Sequence, residues 1–261
     1  MMLDIKKIIN FLEHPINNDD YVNLCKKKLH TNSLLVLSNF LTNQSLKNIL
    51  EEAKKLEHQA FYCSQKHTVL LNKKNNDLKI DDPLNVLMTS DKGCVPHDLI
   101  DKYSDLNTLY ASTIFKNFLV RILDLQNIFP YCDKLSSINY NYYQEGQQLG
   151  WHFDNASFAI TLMIQSPLKG GSFEYITEGR DYKNNYIDIN LINKIINNLY
   201  EPKELQVKPG TLVLFYGRNY LHRVTPVVNK QSRILVTLNY NEENNIELSE
   251  NARITFFGRS D

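Results

Sequence analysis

Cysteine is scarce in this chain and poorly placed for any joint task. Cys25, Cys63, Cys94 and Cys132 are its only thiols in 261 residues, and no two stand in a C-x-x-C spacing. That excludes the paired-cysteine zinc signature and the disulfide frame of a small secreted scaffold; reduced thiols in a cytoplasmic protein are the simpler expectation. A surplus of charge is missing as well. Lys plus Arg and Asp plus Glu number 29 each, for a formal net charge of zero. With no excess of cation to release counterions, a general nucleic-acid binder is not expected. Long apolar runs are also lacking. Residues 1–15 carry only a brief apolar pattern broken by charge, which suits neither a signal peptide nor a membrane span. No internal repeat and no long linker is visible. What is there describes an ordinary globule: 43% hydrophobic and 22% charged residues, at a length that suits one large domain with a small appendage.

Periodicity divides the chain into a helical front and a strand-rich rear. Ile5, Ile8, Ile9 and Leu12 share a helical spacing over residues 4–13, and a second short helix runs through Tyr21, Leu24, Cys25 and Leu29. Residues 1–31 thus read as a helical leader ahead of a domain over 32–261. A buried strand is expected at 33–37, then a helix capped by Thr42 and reaching about Leu56. Residues 58–72 alternate loosely as one or two strands, 73–77 form a turn, and 78–95 read as irregular. An apolar stripe from Leu99 to Ile122 predicts one helix over 97–125. From residue 135 onward, short alternating runs predict strands at 136–143, 158–165, 172–176, 205–207, 211–215, 221–226, 233–240 and 253–257, with an inserted helix at 186–200. Eight such strands separated by Pro and Gly turns suggest a double-sheet jelly roll in an α+β fold with N-terminal and flanking helices.

The chemistry gathers at Leu149-Gly150-Trp151-His152-Phe153-Asp154. In a strand, residues two apart face the same way, so His152 and Asp154 can meet at one point while Phe153 packs behind them. An imidazole nitrogen and a carboxylate oxygen supply two of the three donors of a 2-His-1-carboxylate site for non-haem Fe(II). His222, in Leu221-His222-Arg223-Val224, is the candidate third. Arg233 opens an apolar strand eleven residues later, where a buried guanidinium needs an anion such as the carboxylate of 2-oxoglutarate. Asn141 and Tyr143 share one strand face and are candidates to hydrogen-bond the same cosubstrate. Along the strand of Arg233, Thr237 and Asn239 are candidates for substrate lining, as is Asn155 beside the carboxylate. Glu174 is read as contacting a cationic substrate or pairing with Arg180, and Arg218 as a helper. His67 is a minor candidate for pocket lining; the other histidines read as surface or core. No catalytic residue beyond the metal ligands is expected.

Those motifs, with Gly170-Gly171-Ser172-Phe173-Glu174-Tyr175, Pro209-Gly210-Thr211-Leu212-Val213 and Phe256-Phe257-Gly258-Arg259, resemble a branch of the Fe(II)/2-oxoglutarate oxygenases. That branch holds the free-amino-acid radical halogenases and their hydroxylating relatives. The resemblance runs from about residue 32 to the C-terminus and implies a cupin-like double-stranded β-helix core, iron on His152, Asp154 and His222, 2-oxoglutarate on Arg233, and O2 as second cosubstrate. The halogenases carry glycine where this chain has Asp154, and chloride takes the vacated position. Retention of the carboxylate implies hydroxylation of an unactivated C–H bond in a small molecule, a free amino acid, cationic lysine-like ones included. A prolyl-type protein or peptide hydroxylase is the alternative. The Asn141-x-Tyr143-x-x-Gly146 string also resembles nucleic-acid demethylases, but the balanced charge speaks against that reading. The oligomeric state is not read from the sequence.

Overall fold

The computed structural model describes residues 4–261. Short polar side chains start its helices by accepting a hydrogen bond from a first-turn N–H. Asn18 caps α1 (Asp19–Asn32), Thr42 caps α2 (Asn43–Leu56), and Ser104 caps α3 (Asp105–Ala111). Ser112, Asp188 and Ser249 do the same for α4 (Thr113–Leu123), α5 (Ile189–Ile196) and α6 (Glu250–Phe257). None of the described helices is long and apolar enough to cross a membrane.

The strands are β1 (Leu34–Leu37), β2 (Phe61–His67), β3 (Met88–Val95), β4 (Ile138–Tyr143), β5 (Leu149–His152), β6 (Ala159–Gln165) and β7 (Phe173–Tyr175). They continue as β8 (Arg180–Asp181), β9 (Tyr186–Ile187), β10 (Lys203–Leu205), β11 (Leu212–Phe215), β12 (His222–Val224) and β13 (Arg233–Leu238). All but β8 and β9, which pair with each other, join one antiparallel sheet in the order β1-β11-β6-β13-β4-β3-β5-β12-β7-β10, with β2 added beside β3. The sheet curls into the jelly roll that the short-strand pattern predicts.

Alternation along β4 explains the two faces. Ile138, Tyr140 and Tyr142 turn toward the helices and join the main apolar core with Phe115, Phe118, Ile49 and Leu29. Each such side chain removed from water contributes about 1.5–3 kcal/mol. The buried phenols find acceptors: Tyr142 donates to the Ala53 carbonyl at 2.7 Å, and Tyr140 to Glu52 Oε2 at 2.7 Å. Asn139, Asn141 and Tyr143 turn the other way, and the last two line a cavity inside the curl. Gly150 brings β5 close to β3, since a Cβ there would stand 2.6 Å from Met88 Cβ and 2.8 Å from the Thr89 carbonyl.

Four expectations are corrected. Residues 4–13 contain only a 3-10 turn, Ile5–Lys7; Ile9 bridges to Leu41, and Leu12 is 99% exposed, so the apolar stripe ends early. The long helix over 97–125 is a 3-10 turn followed by α3 and α4, because Ser112 ends one and caps the other. The irregular stretch 78–95 contains β3, which pairs with β2, β4 and β5. Its polar residues disguise it because Ser90 and Lys92 line the cavity rather than pack in the hydrophobic core. The expected strand at 253–257 lies in α6: Ser249 caps its start and Gly258, at φ 72°, ends it, overriding the β-prone Ile254-Thr255-Phe256-Phe257. The leader also joins the main core, through Ile5, Ile8, Ile9, Ile16, Val22, Cys25 and Leu29.

Candidate metal and cosubstrate site

Two neighbouring strands deliver the metal-binding candidates. β5 and β12 pair antiparallel with His152 directly opposite His222, so both imidazoles project from the same face. Their ring centroids are 4.1 Å apart. Asp154, just past β5, is fixed by its N–H donating to the Gly217 carbonyl at 3.0 Å. Its Oδ1 stands 3.3 Å from His152 Nε2 and 3.5 Å from His222 Nε2. One donor atom from each residue lies within 4.8 Å of the others.

The tautomers follow from the far side of each ring. His152 Nδ1 donates to the Gly150 carbonyl at 2.8 Å and His222 Nδ1 to the Tyr220 carbonyl at 2.9 Å. In a neutral imidazole so bonded, Nε2 presents a lone pair. Burial and the neighbouring His222 outweigh the attraction of Asp154 and lower the pKa of His152, which favours that neutral form. Burial raises the pKa of Asp154, but His222 and His152 together bring it well below the usual carboxylate range. Two lone pairs and an anionic oxygen therefore converge on one point, a donor set complementary to a divalent cation, and the carbonyls behind them set the ring orientation.

Gly217 leaves room for this arrangement, since a Cβ there would overlap the Asp154 carboxylate. Gly217→Ala is expected to weaken metal binding about 10–100-fold, the range for disturbed ligand support, with the fold retained. Metal titration beside a thermal melt checks both halves.

Arg233 enters the same cavity from β13, 3% exposed. Its guanidinium stacks over Tyr143, with Cζ 5.2 Å from the ring centroid, while Nε and Nη1 have no protein acceptor. Desolvation lowers its pKa, with Tyr143 opposing. Buried donors left without partners are costly, and a carboxylate answers both. Tyr143 lies opposite Arg233 in the ladder. Asn141 lines the wall too, but its Oδ1 accepts from Lys92 Nζ at 2.5 Å.

The substrate candidates separate. Thr237 lines the cavity. Asn239 does not; its Nδ2 donates to the Ser136 carbonyl at 2.6 Å and to Asn139 Oδ1 at 3.0 Å. Glu174 lies outside the cavity lining and pairs with Arg223, its cross-strand neighbour, at 2.6 Å rather than with Arg180. Asn155 is exposed, and its carbonyl accepts from Arg218 Nε at 2.9 Å and Nη2 at 2.5 Å, so neither side chain lines the cavity. His67 does line it, with Nε2 2.6 Å from Ser90 Oγ and its ring edge toward His152. Sequence reasoning missed Lys92, Cys63 and Phe256 in the wall. A strand assignment for 88–95 is the signal that exposes Lys92: residues Ser90, Lys92 and Cys94 then share one face.

A family model described as halogenase D matches residues 17–255. The chain belongs to the halogenase D family. Solved structures agree in fold. A 2-oxoglutarate/Fe(II) oxygenase family protein from Burkholderia pseudomallei superposes with a TM-score of 0.55 at 12% identity, covering 88% of this chain and 95% of that one. A prolyl hydroxylase from Trichoplax adhaerens, solved with a hypoxia-inducible-factor peptide, gives 0.55 at 13%, covering 87% and 91%. The α-ketoglutarate-dependent epimerase SnoN of nogalamycin biosynthesis gives 0.55 at 8%, covering 86% and 84%. No curated protein matches the sequence. This halogenase D family member is a 2-oxoglutarate-dependent dioxygenase; its donor set fits Fe(II), with 2-oxoglutarate and O2 as cosubstrates.

Proposed function

We propose that this protein hydroxylates an unactivated C–H bond of a small molecule, a free amino acid, in the cytoplasm. In this reading His152, Asp154 and His222 hold Fe(II), Arg233 pairs with the distal carboxylate of 2-oxoglutarate, and Tyr143 and Asn141 border that cosubstrate. Bound there, Fe(II) with 2-oxoglutarate and O2 supplies the oxidising power, and 2-oxoglutarate leaves as succinate and CO2. The protein's share is positioning. The two Nδ1–H donors keep both Nε2 lone pairs aimed inward. Tyr143 and Arg233 form a stacked wall that fixes the cosubstrate's orientation, and Thr237 offers a hydroxyl to the substrate.

One observation carries hydroxylation over halogenation: the Asp154 carboxylate, within 3.5 Å of both imidazoles, takes the position that a halide needs. The test is anaerobic loading with Fe(II) and 2-oxoglutarate, then O2 and pooled amino acids in chloride buffer. Expected is a product heavier by one oxygen, with succinate in step. A chlorinated product would overturn the reading. Turnover only on prolyl peptides or methylated oligonucleotides would replace the substrate class.

A further inference from the structure

The cavity contains a second, half-buried cation that the proposed function leaves unused. Arg233 accounts for one anion. Lys92, on β3, is the other cation among the residues lining the cavity of about 280 Å³. Its Nζ donates to a neutral partner, Asn141 Oδ1 at 2.5 Å, and lies 5.5 Å from the centroid of the Phe256 ring. No salt bridge among the described residues includes it. An ammonium drawn into a protein wall without a counter-anion is a costly arrangement.

The two cations border different crevices off the shared cavity. Arg233 also borders the crevice under Gly170 and Gly171, whereas Lys92, Asn141, Thr237 and Phe256 also border the crevice that reaches Asn239. Tyr143 stands between them in the sheet, beside Arg233 on β13 and one residue beyond the Tyr142–Gly93 pair on β3. Cys63, opposite Lys92 on β2, and the Phe256 ring flank the ammonium. Most of the remaining cavity lining is apolar, Leu71, Leu149, Leu235 and Met163 included, with Gln65, Ser90, Asn141 and Thr237 as polar points. Asp154 is the sole acidic residue lining the cavity, and both imidazoles already face it. Glu174 is held outside by Arg223.

We infer that Lys92 binds a carboxylate of the substrate and that the substrate's body is apolar. This rests on the oxygenase reading and deepens it. A cationic side chain finds no acid to receive it here, so a small aliphatic or aromatic carboxylic acid, amino acids included, fits and a lysine-like one does not. Lys92 is thus a specificity-determining residue: its ammonium pairs with the anion at one end while Arg233 holds the cosubstrate at the other.

The test uses the full chain, with Lys92→Gln, which keeps a donor for Asn141, and Lys92→Arg, which keeps the charge. Each protein is incubated anaerobically with Fe(II), 2-oxoglutarate and a pool of aliphatic and aromatic acids, their matched amides, and lysine. Retained compounds are identified by mass after gel filtration, and their affinities are measured by equilibrium dialysis. The Fe(II)–2-oxoglutarate absorbance band is recorded in parallel. Expected is retention of apolar acids but not of amides or lysine, and a loss of about 100-fold in acid affinity in Lys92→Gln. Lys92→Arg should recover much of that loss, and the absorbance band should persist in both variants. Equal retention of lysine or amides, unchanged acid affinity in Lys92→Gln, or no retained acid in wild type would overturn the inference. So would loss of the band in Lys92→Gln alone, which would give Lys92 to the cosubstrate. A wild type lacking the band would instead sink the oxygenase reading, and acid retention by metal-free protein would still judge Lys92.

Discussion

Asp154→Gly is expected to abolish hydroxylation, with product formation reduced by about 10³-fold or more. The reasoning is geometric. Asp154 supplies the one anionic donor of the cluster and stands 3.3 and 3.5 Å from the two Nε2 atoms. Two imidazoles remain after its removal, and several kcal/mol of charge stabilisation at the metal would be lost, which corresponds to that factor in rate. The variant should still fold. Its substituted side chain lies beyond the end of β5, and His152 keeps its bond to the Gly150 carbonyl. Oxygen incorporation by mass, with Fe(II) content measured on the same sample, separates loss of metal from loss of chemistry. Substantial hydroxylation by this variant would dismiss Asp154 as a ligand.

Arg233→Met should act in opposite directions on binding and on stability. Removing the partner of a buried carboxylate costs about 3–5 kcal/mol, so affinity for 2-oxoglutarate should fall by about 2 × 10²- to 5 × 10³-fold. The ligand-free protein, however, carries Nε and Nη1 without acceptors at a site 3% exposed. Replacing those orphaned donors with a shorter, unbranched thioether should raise its stability by about 1–3 kcal/mol. A higher melting temperature without cosubstrate, and a smaller rise on adding it, is the joint signature. A lowered melting temperature in the ligand-free state would mean that Arg233 has a structural partner.

These two positions were legible in the sequence because strand periodicity alone aligns His152 with Asp154, and because a guanidinium opening an apolar strand demands an anion. The jelly roll was legible for a similar reason: short alternating runs with Pro and Gly between them leave few other architectures. What escaped reading depended on pairing between strands. Glu174 could have met Arg180 or a substrate; only the register of β7 against β12 gives it to Arg223. Asn239 shares a face with Thr237, yet the carbonyl of Ser136 claims it. β3 was hidden because Asp91 and Lys92 are poor strand formers and no hydrophobic alternation marks the run Thr89-Ser90-Asp91-Lys92. With β3 went Lys92, and with it the second cation of the cavity.

The pairing of His152 with His222 has a consequence for the chain as a whole. These residues are about seventy positions apart, and the intervening chain includes β6, the small β8–β9 hairpin, α5 and β11. A slide of one residue between β5 and β12 would turn one imidazole away from the other. An ion held by both rings would therefore act as a rivet through two remote stretches of polypeptide. It would hold their alignment and help close a long loop whose ends otherwise meet at an entropic cost. Binding of a metal would, for this protein, also fasten the curl.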